Sequence, residues 1–232
     1  VTTALLMYGL LQGGQAWPWL SFPSLCIGML CVVLLGVTIR LESRNPEPIL
    51  PKWIWENRVL LGTNLALVGM GMTMMVPSMY LPVYAQSVTG VHPIAAGFIL
   101  ASMSLTWPLF SGFSGRLYLS IGFRNTALVG ILFVITGILL FLFLPFPGPV
   151  WMLVGSQLLM GAGFGLISTP LVVGVQSIVG WHRRGVATGA SMFSRYFGQT
   201  LGAALFAAVF NSVLSYTFQQ VPADLLGVLP EA

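Results

Sequence analysis

The chain has 232 residues, 56% of them hydrophobic and only 6% charged, where an ordinary soluble domain carries about 25% charge. So few charges cannot cover a solvated surface, and disorder requires the opposite composition. The net charge of +4 matters less than its placement: residues 1–39, 59–115 and 125–182 contain no Asp, Glu, Lys or Arg. A bilayer-spanning helix needs about 20 apolar residues, so each of the two longer windows holds two spans. The fold class that follows is all-α, a polytopic transmembrane helical bundle.

Breakers set the elements in chain order. Val1–Leu11 is apolar but only about half a span long, and it carries neither the basic stretch nor the cleavage site of a signal peptide. The chain is therefore expected to begin inside a helix, as a fragment. Gln12–Ser21, with Gly13, Gly14 and Pro18, is a turn. A span from about Phe22 to Arg40 follows; in it Cys26 and Cys31 are separated by about 7.5 Å of helical rise, too far for a disulfide. The connector Leu41–Asn57 is polar and holds Pro46, Pro48 and Pro51. Five further spans are expected at about Arg58–Tyr84, Pro93–Arg116, Asn125–Leu144, Val150–Val179 and Gly185–Tyr216. They are separated at Thr89-Gly90 with Pro93, at Gly122, at Pro145–Pro149 and at Gly180. The tail Thr217–Ala232 is too polar and too short to span.

Arg40, Arg44, Lys52 and Arg58 lie on one side of this layout, and Arg116, Arg124, Arg183 and Arg184 return to the same side at two-span intervals. The opposite loops carry no cation, only Asp224 and Glu231. The positive-inside rule makes the cationic face cytoplasmic. Trp17, Trp19, Tyr80, Tyr84 and Trp151 then fall at the outer interface and Trp53, Trp55, Tyr118 and Trp181 at the inner one, as an aromatic belt. Trp107 is the exception, about 13 Å deep from Arg116 at 1.5 Å per residue.

The loop Gly115-Arg116-Leu117-Tyr118-Leu119-Ser120-Ile121-Gly122-Phe123-Arg124 resembles the degenerate second copy of the Gly-x-Leu-x-Asp-Arg-x-Gly-Arg-Lys motif of the major facilitator superfamily. Gly115, Leu117, Gly122 and the basic Arg124 match; Leu119 and Ser120 replace the motif's Asp and Arg, which puts a gating ion pair here in doubt. Three further stretches are similar to the fourteen-helix drug:proton antiporter branch: Trp17–Ser21 with Glu42–Pro51 and Glu56–Arg58; Gly90–Gly97; and Arg184–Arg195 running on through Gly198–Ala204. The resemblance covers nearly the whole chain. It implies that residues 1–40 are the end of one linker helix plus a second linker helix, and that 41–57 form a cytoplasmic connector. Residues 58–216 would be five of the six helices of the C-terminal half, and 217–232 a tail leading to a missing last helix. It further implies a proton-driven multidrug exporter of a bacterial cytoplasmic membrane, working by alternating access. Its partners would be the bilayer, an amphipathic small molecule, protons and the missing N-terminal half. The alternatives are a carrier for one defined solute, or a non-transporting membrane scaffold.

Arg195 is the one charge inside an expected span, about 16 Å past Arg184. A cation at that depth costs at least about 2.5–3.5 kcal/mol and needs a wet cavity or a partner. Ser191, Arg195, Gln199 and Gly202 share its helix face, the pattern of a cavity lining; a snorkelling structural Arg fits the same position. Asn64, Gly71, Met75 and Ser78 share a face of the Arg58 span, within the run Met70, Met72, Met74, Met75 and Met79. Methionine suits varied apolar ligands and equally well an ordinary core. Trp107 either stacks a planar or cationic substrate or packs helices. Ser168, Thr169 and Gln176 flank Pro170, where they either line a cavity or satisfy carbonyls freed by the proline.

Enzyme chemistry finds no support. His92 and His182 lie on opposite membrane faces and cannot share a metal, and no acid lies inside a span. No cofactor, metal or nucleic acid is expected. Because proton coupling uses an intramembrane Asp, Glu or His, the proton carrier is expected in the missing half.

Overall fold

The computed structural model describes residues 21–42, 51–145 and 148–219. Its helices are α1 (Phe22–Glu42), α2 (Lys52–Glu56), α3 (Arg58–Ser87), α4 (Pro93–Ile121), α5 (Phe123–Leu142), α6 (Val150–Ile178) and, after a 3-10 turn at Trp181–Arg183, α7 (Arg184–Gln219). No strand occurs among the described residues. The segments α3 to α6 and Trp181–Leu214 are long and apolar enough to cross a membrane, and in α1 the described apolar run is Leu25–Leu34. The expected helix end at Val1–Leu11, nearly all of the turn 12–21, the connector residues 43–50, part of the proline run at 146–147 and the tail from 220 lie outside the described residues.

Two expectations shift. The connector contains a five-residue helix, α2, because Ile54 is 1% exposed and docks into the bundle. Helix α4 runs longer than expected: it continues past Arg116 to Ile121, and its stop is set by Gly122. Gly122 has φ +85° and ψ 161°, a conformation open in practice only to glycine. Its N–H donates to the carbonyl of Tyr118, and its own carbonyl accepts from both the backbone and the hydroxyl of Thr126, so one residue ends α4 and starts α5. The break at Gly90 likewise uses a positive φ, +66°.

By packing, the chain divides into residues 47–199 and a second unit of 1–46 with 200–232. In the second unit the described residues are helical from Phe22 to Glu42 and from 200 to 219, and the thiols of Cys26 and Cys31 are both free. The first unit is built around α6, which is buried without interruption from Met160 to Ser168. Its glycines set the distances. A Cβ on Gly163 would stand 2.6 Å from the carbonyl oxygen of Gly130 on α5, and one on Gly165 2.6 Å from that of Trp107 on α4. One stripe of small residues thus seats α5 and an adjacent one seats α4, the close approach that lipid-embedded helices use in place of a hydrophobic driving force. An exposed polar side chain within a span is satisfied in its own helix: Thr136 donates to the carbonyl of Leu132 at 2.8 Å.

Glycine contact and glycine exposure therefore have opposite consequences. Gly163→Ala is expected to destabilise the bundle by about 1–3 kcal/mol through overpacking. Gly62→Ala, where nothing lies within 4 Å, should be neutral or stabilising by up to about 1 kcal/mol through helix propensity. Thermal unfolding of both variants in one detergent reads the difference.

Candidate functional site

The site is assembled where α3 meets the first half of α7. Asn57 starts α3, its side-chain oxygen accepting from the backbone N–H groups of Val59 at 3.0 Å and Leu60 at 3.5 Å. Two turns on, Asn64 is 3% exposed. Its amide nitrogen donates to the carbonyl of Leu60 at 2.9 Å, and its oxygen accepts from the hydroxyl of Ser194 at 3.2 Å. Below this bond the backbones touch. A Cβ on Gly71 would overlap the carbonyl oxygen of Arg195, and one on Gly198 would overlap that of Val68. The two glycines are reciprocal, each leaving room for the other helix's carbonyl. One turn further, the Gln199 amide donates to the sulfur of Met74 at 3.6 Å.

Arg195 therefore turns its main chain toward α3. Its guanidinium lies 5.1 Å above the Tyr196 ring and donates to the Tyr196 hydroxyl at 3.4 Å, while its Nε is buried with no hydrogen-bond partner. Ser191 is 1% exposed and donates to the carbonyl of Ala187 in its own helix. Met75 is half-buried on α3, one residue from the methionine that meets Gln199.

A second polar seam joins α4 to α6. The Trp107 indole N–H donates to Ser168 Oγ at 3.3 Å, and the hydroxyls of Ser111 and Thr169 share a bond of 2.5 Å. The hydroxyls beside Pro170 thus reach across to α4. Nearer the α6–α7 turn, the Gln176 amide donates to Thr188 Oγ1 at 3.0 Å. Trp107 also stands 5.8 Å from the Phe164 ring. The two seams meet in one apolar cluster of Leu67, Met70, Met103, Val134, Met160, Phe164 and Ile167, against which both Met74 and Trp107 pack.

Ser194, Ser111, Phe164 and Thr188 are partners that sequence reasoning did not single out, and Met74 entered it only as one of the methionine run. The spacing Ser191, Ser194, Gly198 is itself helical, but only the register of α7 on α3 separates the partnered hydroxyl from the self-bonded one. The loop motif is dispersed. Gly115 and half-buried Leu117 lie in the last turns of α4, Gly122 is the hinge, and Arg124 is exposed in the first turn of α5. No group of three or more His, Cys, Asp or Glu with metal-holding geometry occurs among the described residues.

Comparison with known proteins decides the family. The model of the Major Facilitator Superfamily matches residues 1–203. The chain belongs to that superfamily. The five helices long and apolar enough to cross a membrane among the described residues, with the family, make it a multi-pass membrane protein. It is 29% identical to the multidrug transporter protein MdtP of Bacillus subtilis, over 89% of this chain and 38% of that protein. It is 27% identical to multidrug resistance protein 3 of the same organism, over 93% and 42%, and 29% identical to a tetracycline resistance determinant of Streptomyces rimosus, over 88% and 59%. The chain thus spans about two fifths of the length of the first two relatives.

In this facilitator chain the Asn64–Ser194 bond crosses from α3 to α7, so its removal should report on that interface. A double-mutant cycle of Asn64→Ala and Ser194→Ala is expected to give a coupling of about 0.6 kcal/mol, and at most about 1.7 kcal/mol. Unfolding free energies in mixed micelles provide the measurement.

Proposed function

We propose that this chain is the C-terminal helical portion of a secondary transporter that exports amphipathic small molecules in exchange for protons. On this reading residues 1–40 supply the end of one linker helix and a second linker helix, 41–57 a cytoplasmic connector, 58–216 five helices of the bundle, and 217–232 an outward tail. The opposing half of the transporter lies outside these 232 residues. Transport proceeds by alternating access of the two halves around a site near the midplane.

The observation that carries the reading is Arg195. It sits well inside an apolar helix of a facilitator chain, without an acidic partner among the described residues and with its Nε unsatisfied. A guanidinium at that depth must be hydrated or paired, and Gln199 and Met74 lie next to it on the α3–α7 seam. In the intact protein an acid on the opposing half is its natural partner. Pairing would favour that acid's charged form and couple its protonation to the arrangement of the halves. Substrate breadth is supported by the half-buried Met72, Met74 and Met75 of α3 and by half-buried Trp107, which offer flexible and flat apolar contacts around few hydrogen bonds. Ser168 and Gln176, both already hydrogen-bonded across helices, would orient polar groups of the substrate. The multidrug and tetracycline resistance relatives agree with this class of cargo.

In the full-length protein Arg195→Ala is expected to cut proton-driven efflux about tenfold or more, the loss of one charge-assisted contact, at near-normal membrane abundance. Arg195→Lys, which keeps charge but not the planar fork, should be partly active. Wild-type efflux from both variants, or their disappearance from the membrane, would favour a purely structural arginine.

Orientation has its own test. Cysteines replacing exposed Ser120, beside the cationic loop, and exposed Ser87, at the opposite end of α3, are placed in a cysteine-free background. An impermeant thiol reagent added outside cells is expected to label position 87 and spare position 120.

A further inference from the structure

The helix ends at the cationic face carry a second constellation that the transport reading does not use. Helix α2 is clamped to the bundle by Ile54, which packs with Leu60 of α3, Val175 of α6 and Ala187 and Ala190 of α7. That clamp brings Trp53 beside the turn between α6 and α7. The Arg183 guanidinium lies 5.5 Å above the Trp53 ring, and the Arg184 guanidinium 5.1 Å above the Trp181 ring. Lys52 and Arg58 flank the same short helix and are exposed. Among the described residues none of these four cations has an acidic partner, and Arg184 Nε is buried with no hydrogen bond.

Ring stacking holds each guanidinium plane while leaving its edge N–H groups to donate. Two arginines adjacent in the chain, each with edge donors that no acid takes up among the described residues, can together hold a phosphate group. The chain beside them is apolar and open: Trp181 is 76% exposed and Ile178 48%. A free phosphate would leave that rim in contact with water, whereas a lipid offers acyl chains to it. We propose that this surface is a binding site for an anionic phospholipid, with the headgroup phosphate on Arg183 and Arg184 and the chains along Trp181 and Ile178. Basic clefts between helix ends are well suited to such headgroups. A lipid seated here touches the α6–α7 turn and, through Trp53, the segment that leads into α3, and so ties three helix ends together. The inference rests on the membrane-spanning architecture and not on the identity of the cargo.

The test uses the full-length protein in a neutral detergent. Dioleoylphosphatidylglycerol is expected to raise the unfolding temperature, while dioleoylphosphatidylcholine and inorganic phosphate at the same concentration leave it unchanged. R183Q/R184Q should lose the increment, with affinity weakened about fivefold per arginine, and R183K/R184K should keep part of it. Equal stabilisation by the two lipids, stabilisation by phosphate alone, or an undiminished increment in R183Q/R184Q would overturn the proposal. Should R183Q/R184Q fail to accumulate, brominated phosphatidylglycerol is compared with brominated phosphatidylcholine as a quencher of tryptophan fluorescence. Stronger quenching by the anionic lipid in the wild type, lost in W181F, supports the site, and equal quenching by the two lipids refutes it.

Discussion

Two carbonyl oxygens, those of Val68 and Arg195, occupy the space where a β-carbon on Gly198 or Gly71 would stand. In lipid there is no hydrophobic gain from bringing helices together, so association depends on van der Waals contact and on the few polar bonds that close approach permits. The reciprocal glycines bring α3 and α7 to backbone distance. That distance puts Ser194 within reach of Asn64 and Gln199 within reach of Met74. The same device repeats on α6, where Gly163 admits α5 and Gly161 and Gly165 admit α4. Without those approaches Trp107 would not reach Ser168, nor Ser111 reach Thr169.

Polar groups inside the bundle fall into two kinds. Most hydroxyls bond back to a carbonyl of their own helix, as Ser191, Thr106 and Ser156 do, which satisfies them wherever the helix goes. A smaller set bonds across helices, and those bonds exist only in one register. Asn64, Ser194, Trp107, Ser168, Gln176 and Thr188 belong to this set. Sliding of one helix past another, as alternating access would require, leaves the first kind untouched and must break or exchange the second. The cross-helix bonds are each weak in membranes, about 0.6 kcal/mol on average, which keeps such an exchange affordable.

The cations are sorted by where water can reach them. Arg183, Arg184, Lys52 and Arg58 sit at helix ends, with tryptophan faces available to the arginines. Among the described cations Arg195 alone lies well inside a long apolar helix, and there its guanidinium stacks over the Tyr196 ring. A tyrosine face and hydroxyl reduce the cost of burial but do not neutralise the charge, which is the physical basis for seeking its counter-charge outside these residues.

Hydrophobicity alone determined the helices. Charge-free runs of fixed length, ended by Gly90, Gly122 and Gly180, are legible without coordinates because every backbone group in lipid must be bonded internally and only a helix does this within one segment. The family resemblance was legible in the Gly115–Arg124 loop taken with the order of the other stretches and the topology, and the structure shows the work of one residue of that loop: Gly122, at φ +85°, ends α4. Helical rise put Arg195 and Trp107 far from the cationic helix ends, and helical periodicity put Asn64 on one face with Gly71, Met75 and Ser78. Periodicity could not choose Ser194 over Ser191 as the residue that meets a neighbour, since positions three apart share a face, nor Met74 over the adjacent Met75, since only the rotation of each helix about its axis decides which one faces the partner. Nor could it show that α2 exists, because a five-residue helix has too little length for a period and is held by the single docked side chain of Ile54. Those choices belong to the tertiary structure, where the glycine contacts set helix rotation and the rotation decides which polar groups find a partner.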